Sequence, residues 1–143
     1  MSRADLTPLH KENFEKTAVL LEGPLKAEFD MSQFCEFDSN GRALETVVTD
    51  CGTVGCVLGH AIGVVPKFNN ENFWQYAERA FGCHSEDLEY HWVFHPSWKH
   101  LDNTAKGAAK RIRVMLEKGI PETFDIGVLL TEANKRQEIL ENV

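Results

Sequence analysis

The pattern of apolar and polar residues predicts a mainly helical chain. In several segments apolar residues recur every three or four positions, the spacing of a helix with one buried face. The predicted helices run from Thr7-Pro8 to Gly23-Pro24, from Glu71 to Phe81, from Ser85 to Pro96, from Thr104 to Lys118 and from Thr131 to Asn142. Thr7, Asn70 and Asn103 are the predicted N-caps, since short polar side chains accept hydrogen bonds from the free N–H groups of a first turn.

The same spacing predicts which side chains face inward. In chain order they are Leu9, Phe14, Ala18 and Leu21; Phe73, Trp74, Ala77 and Phe81; Leu88 and Trp92; Ala105, Ala108, Ala109, Ile112, Met115 and Leu116; and Leu130, Ala133 and Ile139 or Leu140. Burial of these faces against one another forms the predicted core.

The stretch from Asp50 to Gly63 predicts a buried central helix, Val54–Val64, around which the domain is organised. Its circumference has no polar face, so we expect it to run through the middle of the molecule. Three glycines, at positions 55, 59 and 63, fall on one strip of this helix. The strip indicates either close packing, against the alanine-rich face of 104–118, or an anion held near the helix N-terminus.

A small β-hairpin is predicted before the central helix. Ala27–Met31 and the β-branched Thr46–Thr49 are its strands, and the turn residues Asp38–Gly41 separate them. The predicted fold class is therefore mainly α with a minor α+β character. It is a compact helical bundle with a small hairpin, in one domain spanning residues 1–143.

Composition and charge narrow the class of protein. Of the 143 residues, 43% are hydrophobic and 26% charged, which is typical of a globular domain. No apolar run is long enough to span a membrane and the N-terminus lacks a signal-peptide pattern, so the expected location is the cytoplasm. A net charge of −7 argues against general nucleic-acid binding. A homo-oligomer is left open.

Cysteine and histidine residues offer two kinds of chemistry. In a reducing compartment the four cysteines (Cys35, Cys51, Cys56, Cys83) are expected as thiols or metal ligands rather than as disulfides. Cys51, Cys56, His60 and Cys83 form a mixed sulfur and nitrogen set that suits zinc, although no Cys-x-x-Cys pair is present. Buried thiols and a hydrogen-bonded histidine explain the same residues without any metal.

Cysteine catalysis is a second alternative. Cys51 or Cys56 near a helix N-terminus has the environment of an activated thiolate, and His60 or a later histidine is a candidate base. The residues after Cys51 do not match the papain-type signature. An enzyme is therefore the less favoured hypothesis.

A basic helical face and an aromatic segment point to ligand binding. The helix 104–118 carries five basic residues and one acid, with Lys106, Lys110 and Arg113 on one side. The segment Tyr90–His100 is dense in aromatic and imidazole groups, which suit either a core or a pocket. The predicted ligand-binding residues are Cys51, Gly52 and Thr53 as N–H donors, Lys110 and Arg113 as cations, and Trp98 as a stacking surface.

Several of these motifs together resemble a group of small bacteriophage and bacterial accessory proteins. The motifs are Phe29-Asp30-Met31, Cys51-Gly-Thr-x-x-Cys56-x-x-Gly59-His60-Ala61, Trp92–Trp98, Ala108-x-x-Arg111-Ile112 and Gly119-Ile-Pro121. The resemblance covers most of residues 27–121 and is most specific in the Cys-Gly-Thr-x-x-Cys-x-x-Gly-x-Ala core. It implies a compact domain in a phage or accessory setting, and it brings no catalytic residue or cofactor.

The leading functional hypothesis is a non-enzymatic binding protein, in a phage setting one that acts in counter-defence. Its expected partner is either a small anionic, nucleotide-like ligand or a host protein. The alternatives are a zinc- or cysteine-dependent enzyme using Cys51, Cys56 and His60, and an interaction module stabilised by zinc.

Overall fold

The computed structural model describes residues 3–24, 28–29, 54–55 and 57–141. The α-helices in this part of the chain are α1 Pro8–Glu22, α2 Val57–Ala61, α3 Phe73–Phe81, α4 Leu88–Phe94, α5 Ala105–Lys118 and α6 Ile126–Glu141. A 3-10 helix, Pro96–His100, follows α4, and two short strands are β1 Glu28–Phe29 and β2 Val54–Gly55. The predicted mainly helical, compact fold is confirmed. Among these helices, none is both long and apolar enough to cross a bilayer.

Local sequence signals set most helix ends. Thr7 caps α1 and the helix ends before Gly23, as predicted. The caps of two other helices lie one or two residues later than predicted. Thr104 rather than Asn103 accepts from the backbone of α5, and Asn72 rather than Asn70 caps α3. In α3 the choice of Asn72 follows from Gln75, which stands three residues later and completes a reciprocal capping box.

The core lies where α1 packs against α5, α3 and α2. Helix α4 packs on α5, and α6 packs on the 3-10 helix. Large aromatic side chains with no exposed surface fill the centre: Phe14, Phe73, Tyr76, Phe81 and Phe94. The Tyr76 hydroxyl donates to the backbone carbonyl of Val65, so this polar atom is satisfied inside the core.

The predicted inward faces are confirmed in part. Phe14, Ala18, Leu21, Phe73, Ala77, Phe81, Ala108, Ala109, Ile112, Met115 and Ala133 are buried. The predictions are wrong for Leu9, Trp74 and Leu130, which are exposed. Of the alternatives Ile139 and Leu140, Ile139 is exposed and the side chain of Leu140 lies outside the described residues. In α3 and α6 the buried positions are instead the neighbouring Tyr76 and Leu129, because tertiary packing selects which of several adjacent apolar residues turns inward.

The predicted central helix is shorter than expected. Val54 and Gly55 form β2, and α2 begins only at Val57 and ends at Ala61. Valine and glycine are poor helix formers, and pairing with β1 gives their backbone groups another set of partners. The prediction that three glycines share one strip of this helix is therefore wrong. Gly59 lies in α2, whereas Gly55 is in a strand and Gly63 follows the helix at the surface. All five residues of α2 are buried, as its lack of a polar face predicts.

The predicted β-hairpin is not shown. Its second strand, Thr46–Thr49, and its turn lie outside the described residues. The described β1 falls within the predicted first strand, Ala27–Met31, and pairs in parallel with β2. Parallel pairing requires a long connection rather than a tight turn.

Polar contacts fix α1 against the end of α3. The Nε2 of His10 donates to the carbonyl of Arg79, and Asn13 donates to the carbonyl of Ala80. Gly82 ends α3 with φ +70°, and a Cβ at this position would lie 2.5 Å from the Nδ1 of His10. Glycine is thus required here both by the left-handed backbone and by the close approach of the imidazole.

Candidate functional site

Helix α5 has one buried face and one cationic face. Ala108, Ala109, Ile112 and Met115 are buried. Lys106, Lys110, Arg113 and Glu117 recur at the spacing of a single helical face on the other side. Since the buried face packs on α1 and α4, the cationic face is held in a fixed orientation beside α1.

A groove of about 500 Å³ lies along this cationic face. Helix α1 contributes Glu22 to its lining, and α5 contributes the remainder: Lys106, Lys110, Arg113, Val114, Glu117 and Lys118. Within the described part of the chain, the three lysines form no hydrogen bond or ion pair. The groove therefore presents ammonium groups that form no ion pair with a described side chain, beside the carboxylate of Glu117.

Arg113 differs from the lysines because α1 already binds it. Its Nε and Nη2 donate to the two carboxylate oxygens of Glu22, at 2.7 and 2.6 Å, and its Nη1 donates to Glu15 at 2.8 Å. Hydrogen bonding to Arg113 lowers the pKa of Glu22, and hydrogen bonding to Glu22 and then Glu15 raises the pKa of Arg113. This paired guanidinium forms one wall of the groove.

The structure brings two of the six predicted ligand-binding residues together. Lys110 and Arg113 line the groove, whereas Trp98 does not. The Trp98 ring lies 4.3 Å from the guanidinium of Arg111 and stacks with Phe124. The remaining three, Cys51, Gly52 and Thr53, lie outside the described residues, so their part in a ligand site stays a prediction.

The aromatic segment Tyr90–His100 is core in its α4 part and half-buried in much of the remainder. Tyr90, Val93 and Phe94 are buried. Trp92 and Trp98 are half-buried and form an aromatic cluster with Phe124, in which the ring centroids lie 4.9 to 6.1 Å apart. Each indole N–H donates to a backbone carbonyl, Trp92 to Arg111 and Trp98 to His91. The segment thus serves to hold α4, α5 and the 3-10 helix together.

The predicted metal ligands are described only in part. His60 is buried in α2, and Cys83 is a fully buried free thiol whose pKa is raised by burial. Cys51 and Cys56 lie outside the described residues, as does Cys35. Across the ranges that the structure describes, no cluster of three or more His, Cys, Asp or Glu side chains is placed to hold a metal ion. Zinc binding stays a prediction, which a comparison of native and denatured protein masses tests.

Two histidines near the end of α4 are held in an environment that favours their neutral form. The ring centroids of His91 and His95 lie 5.2 Å apart. Burial, and next the charge of His91, lowers the pKa of His95 to about 4. Burial also lowers the pKa of His91, against an opposing contribution from Asp87. The Nδ1 of His95 accepts from the backbone N–H of Ser97, which caps the 3-10 helix.

We expect the protein to lose stability as the pH falls from 6.5 to 4. In this window the unfolded chain protonates His95 at its ordinary pKa while the folded chain resists protonation, so acid favours unfolding. Allowing for solvent screening of the partly exposed ring, we expect a loss of about 1–2 kcal/mol from this residue. The free energy of urea unfolding, measured at steps across this window, gives the loss directly.

The matched variant is His95→Asn, because asparagine keeps an acceptor for the Ser97 N–H and does not titrate. Its unfolding free energy should vary less with pH between 6.5 and 4 than that of the parent protein. Equal pH slopes for the two proteins would contradict the assignment.

Sequence reasoning missed the α1 side of the groove. Glu15 and Glu22 are seven residues apart and so share a face of α1, which is a signal that the sequence contains. Their partner Arg113 becomes evident only once α1 is known to pack along α5. Arg111, another of the five basic residues of this helix, is buried.

Comparison of the chain with protein-family models, with curated proteins and with solved structures finds no match. No relative therefore supplies a ligand, a reaction or a set of catalytic residues. Among the described residues, the groove on α5 presents several lysines without ion-pair partners, and this chemistry suggests anion binding.

Proposed function

We propose that this protein is a non-enzymatic binding protein that holds a small anionic, nucleotide-like ligand in the groove on α5. The observation that carries the proposal is the placement of Lys106, Lys110 and Lys118, without described partners, along one concave surface. Solvated lysines on a convex helix face are common. Here the lysines line an open groove of about 500 Å³, which is large enough for a small molecule, and this supports the proposal.

The charge distribution supports an anion rather than a cation. The protein carries a net charge of −7, so a cluster of ammonium groups makes the groove locally positive on a protein that is negative as a whole. Each ammonium group offers three donors to phosphate or carboxylate oxygens. Val114 adds an apolar patch to the lining, against which the less polar part of a ligand can pack.

The composition of the lining supports binding rather than catalysis. The groove lining within the described residues consists of lysines, one arginine, one valine and two glutamates. One of these glutamates, Glu22, is already bound to Arg113. The resemblance to phage accessory proteins gives such a binder a setting, in which sequestering a nucleotide signal counters a host defence.

Calorimetric titration with ATP tests the proposal. Reversing two charges in the double variant Lys106→Glu, Lys110→Glu should weaken ATP binding about tenfold or more, because two attractive contacts become repulsive. Added salt should weaken binding by the parent protein, since the groove is open to solvent.

The control variant is Lys11→Glu, Lys135→Glu, which changes the net charge equally at exposed positions outside the groove lining. It should bind ATP as the parent protein does, within about twofold. Absence of ATP binding by the parent protein, or equal weakening in both double variants, would contradict a ligand site on α5.

A further inference from the structure

Glu22 stands in the groove where a ligand anion would be held. Its two carboxylate oxygens accept two parallel hydrogen bonds from Arg113, through Nε and Nη2. This two-bond fork is the geometry in which arginine also binds phosphate. The carboxylate lines the same groove as Lys106 and Lys110, which form no ion pair with a described side chain.

Two features make this contact easy to exchange. The side chains of Glu22 and Arg113 are 43% and 31% exposed, so a ligand anion in the groove can reach the guanidinium edge that now binds Glu22. Glu22 is also the last residue of α1, where the helix dipole disfavours a negative charge. Its carboxylate is thus held by Arg113 against an unfavourable local field.

Arg113 keeps a second anchor if Glu22 leaves. Its Nη1 donates to Glu15, one full heptad earlier on α1. That contact holds the guanidinium in the groove wall while the Nε and Nη2 edge becomes free. The free edge would face a ligand oxygen in the orientation that it now presents to Glu22.

We propose that Glu22 occupies the anion subsite of the groove, and that a phosphate group of the ligand displaces it from the Nε and Nη2 edge of Arg113. This inference rests on the proposed function, which it deepens by naming phosphate as the recognised group. Lys106 and Lys110 then neutralise the remaining phosphate charge. Glu22 acts as a competitor that lowers the affinity of the groove for anions. It thereby selects ligands whose anionic group binds the guanidinium of Arg113 more tightly than a carboxylate does.

The test compares Glu22→Gln with Glu12→Gln. Both remove one negative charge from α1, but Glu12 lies outside the groove lining and contacts only Lys16 among the described ion pairs. Glu22→Gln should bind ATP about fivefold more tightly than the parent protein, since the competing charge is gone. Glu12→Gln should stay within about twofold of the parent. Adenosine, which lacks phosphate, should show no tightening with Glu22→Gln.

A double-mutant cycle shows whether the effect passes through Arg113. In an Arg113→Gln background, Glu22→Gln should no longer tighten ATP binding, because no guanidinium edge remains to be released. Equal ATP affinity of Glu22→Gln and Glu12→Gln, or equal tightening for adenosine and ATP, would overturn the role of Glu22. If the groove lysines still govern ATP binding in that case, the proposed function stands and only this inference falls. Absence of ATP binding by the parent protein and all variants overturns the proposed function itself.

Discussion

Replacing Phe14 by alanine is expected to lower the free energy of unfolding by about 3–5 kcal/mol. The Phe14 side chain has no exposed surface, and its ring centroid lies 4.8 Å from that of Phe81 and 5.9 Å from that of Phe94. Truncation removes the buried ring and leaves a cavity between aromatic neighbours that a packed core cannot fully close. A domain with about 5–15 kcal/mol of total stability would lose a large part of it.

Urea unfolding followed by circular dichroism measures this loss, and Leu9→Ala is its control on the same helix. Leu9 is 60% exposed, so its truncation should change the unfolding free energy by no more than about 0.5 kcal/mol. A cost below about 1 kcal/mol for Phe14→Ala, or equal costs for the two variants, would contradict the placement of α1 in the core.

The contrast between these two residues shows what the sequence predicts well. The ends of α1 follow from Thr7-Pro8 and Gly23-Pro24, whose effect on the backbone is local. The buried face does not follow so simply. Leu9 and Phe14 are five residues apart and therefore about 140° apart around the helix, too far to share a narrow buried stripe. Only the neighbours of the helix decide which of them is inside.

The segment predicted as the helix Val54–Val64 shows a second limit of prediction from sequence. Absence of a polar face correctly predicts that α2 is buried. The predicted start at Val54 is wrong, because the backbone of Val54 and Gly55 pairs with Glu28 and Phe29 from a distant part of the chain. Helical periodicity carries no information about such a long-range partner.

The residues of the candidate site likewise fall into those that the sequence predicts and those that depend on tertiary packing. Lys110 and Arg113 were predictable because their spacing along one helix fixes their common face. Glu22 joins them only through the packing of α1 on α5, and Trp98 departs from them because Arg111 and Phe124 hold it elsewhere. Residues from one helix are thus predictable as a group, whereas a site shared between helices requires the fold.

Arg111→Ala is expected to lower the free energy of unfolding by about 2–4 kcal/mol. The Arg111 side chain is 6% exposed, and burial lowers its pKa to about 10, so it remains charged at neutral pH. Its Nε donates to the carbonyl of Trp92 and its Nη1 to Asp102, while its guanidinium lies over the Trp98 ring. Alanine would leave the Trp92 carbonyl without this donor and a void beside Trp98.

Variants at and beside this position separate the causes of the loss. Arg111→Lys keeps the charge but not the planar fork or the ring contact, so it should show at least half of the loss. Arg111→Met fills more of the void than alanine and should cost less than Arg111→Ala, because much of the penalty comes from the cavity.

The exposed neighbour Lys110 provides the control. Lys110→Ala should change the free energy of unfolding by no more than about 0.5 kcal/mol. If Arg111→Ala and Lys110→Ala have the same unfolding free energy, then Arg111 does not join α4 to α5. If the two variants differ as expected, Arg111 stabilises the fold, whereas the exposed Lys110 contributes little to stability.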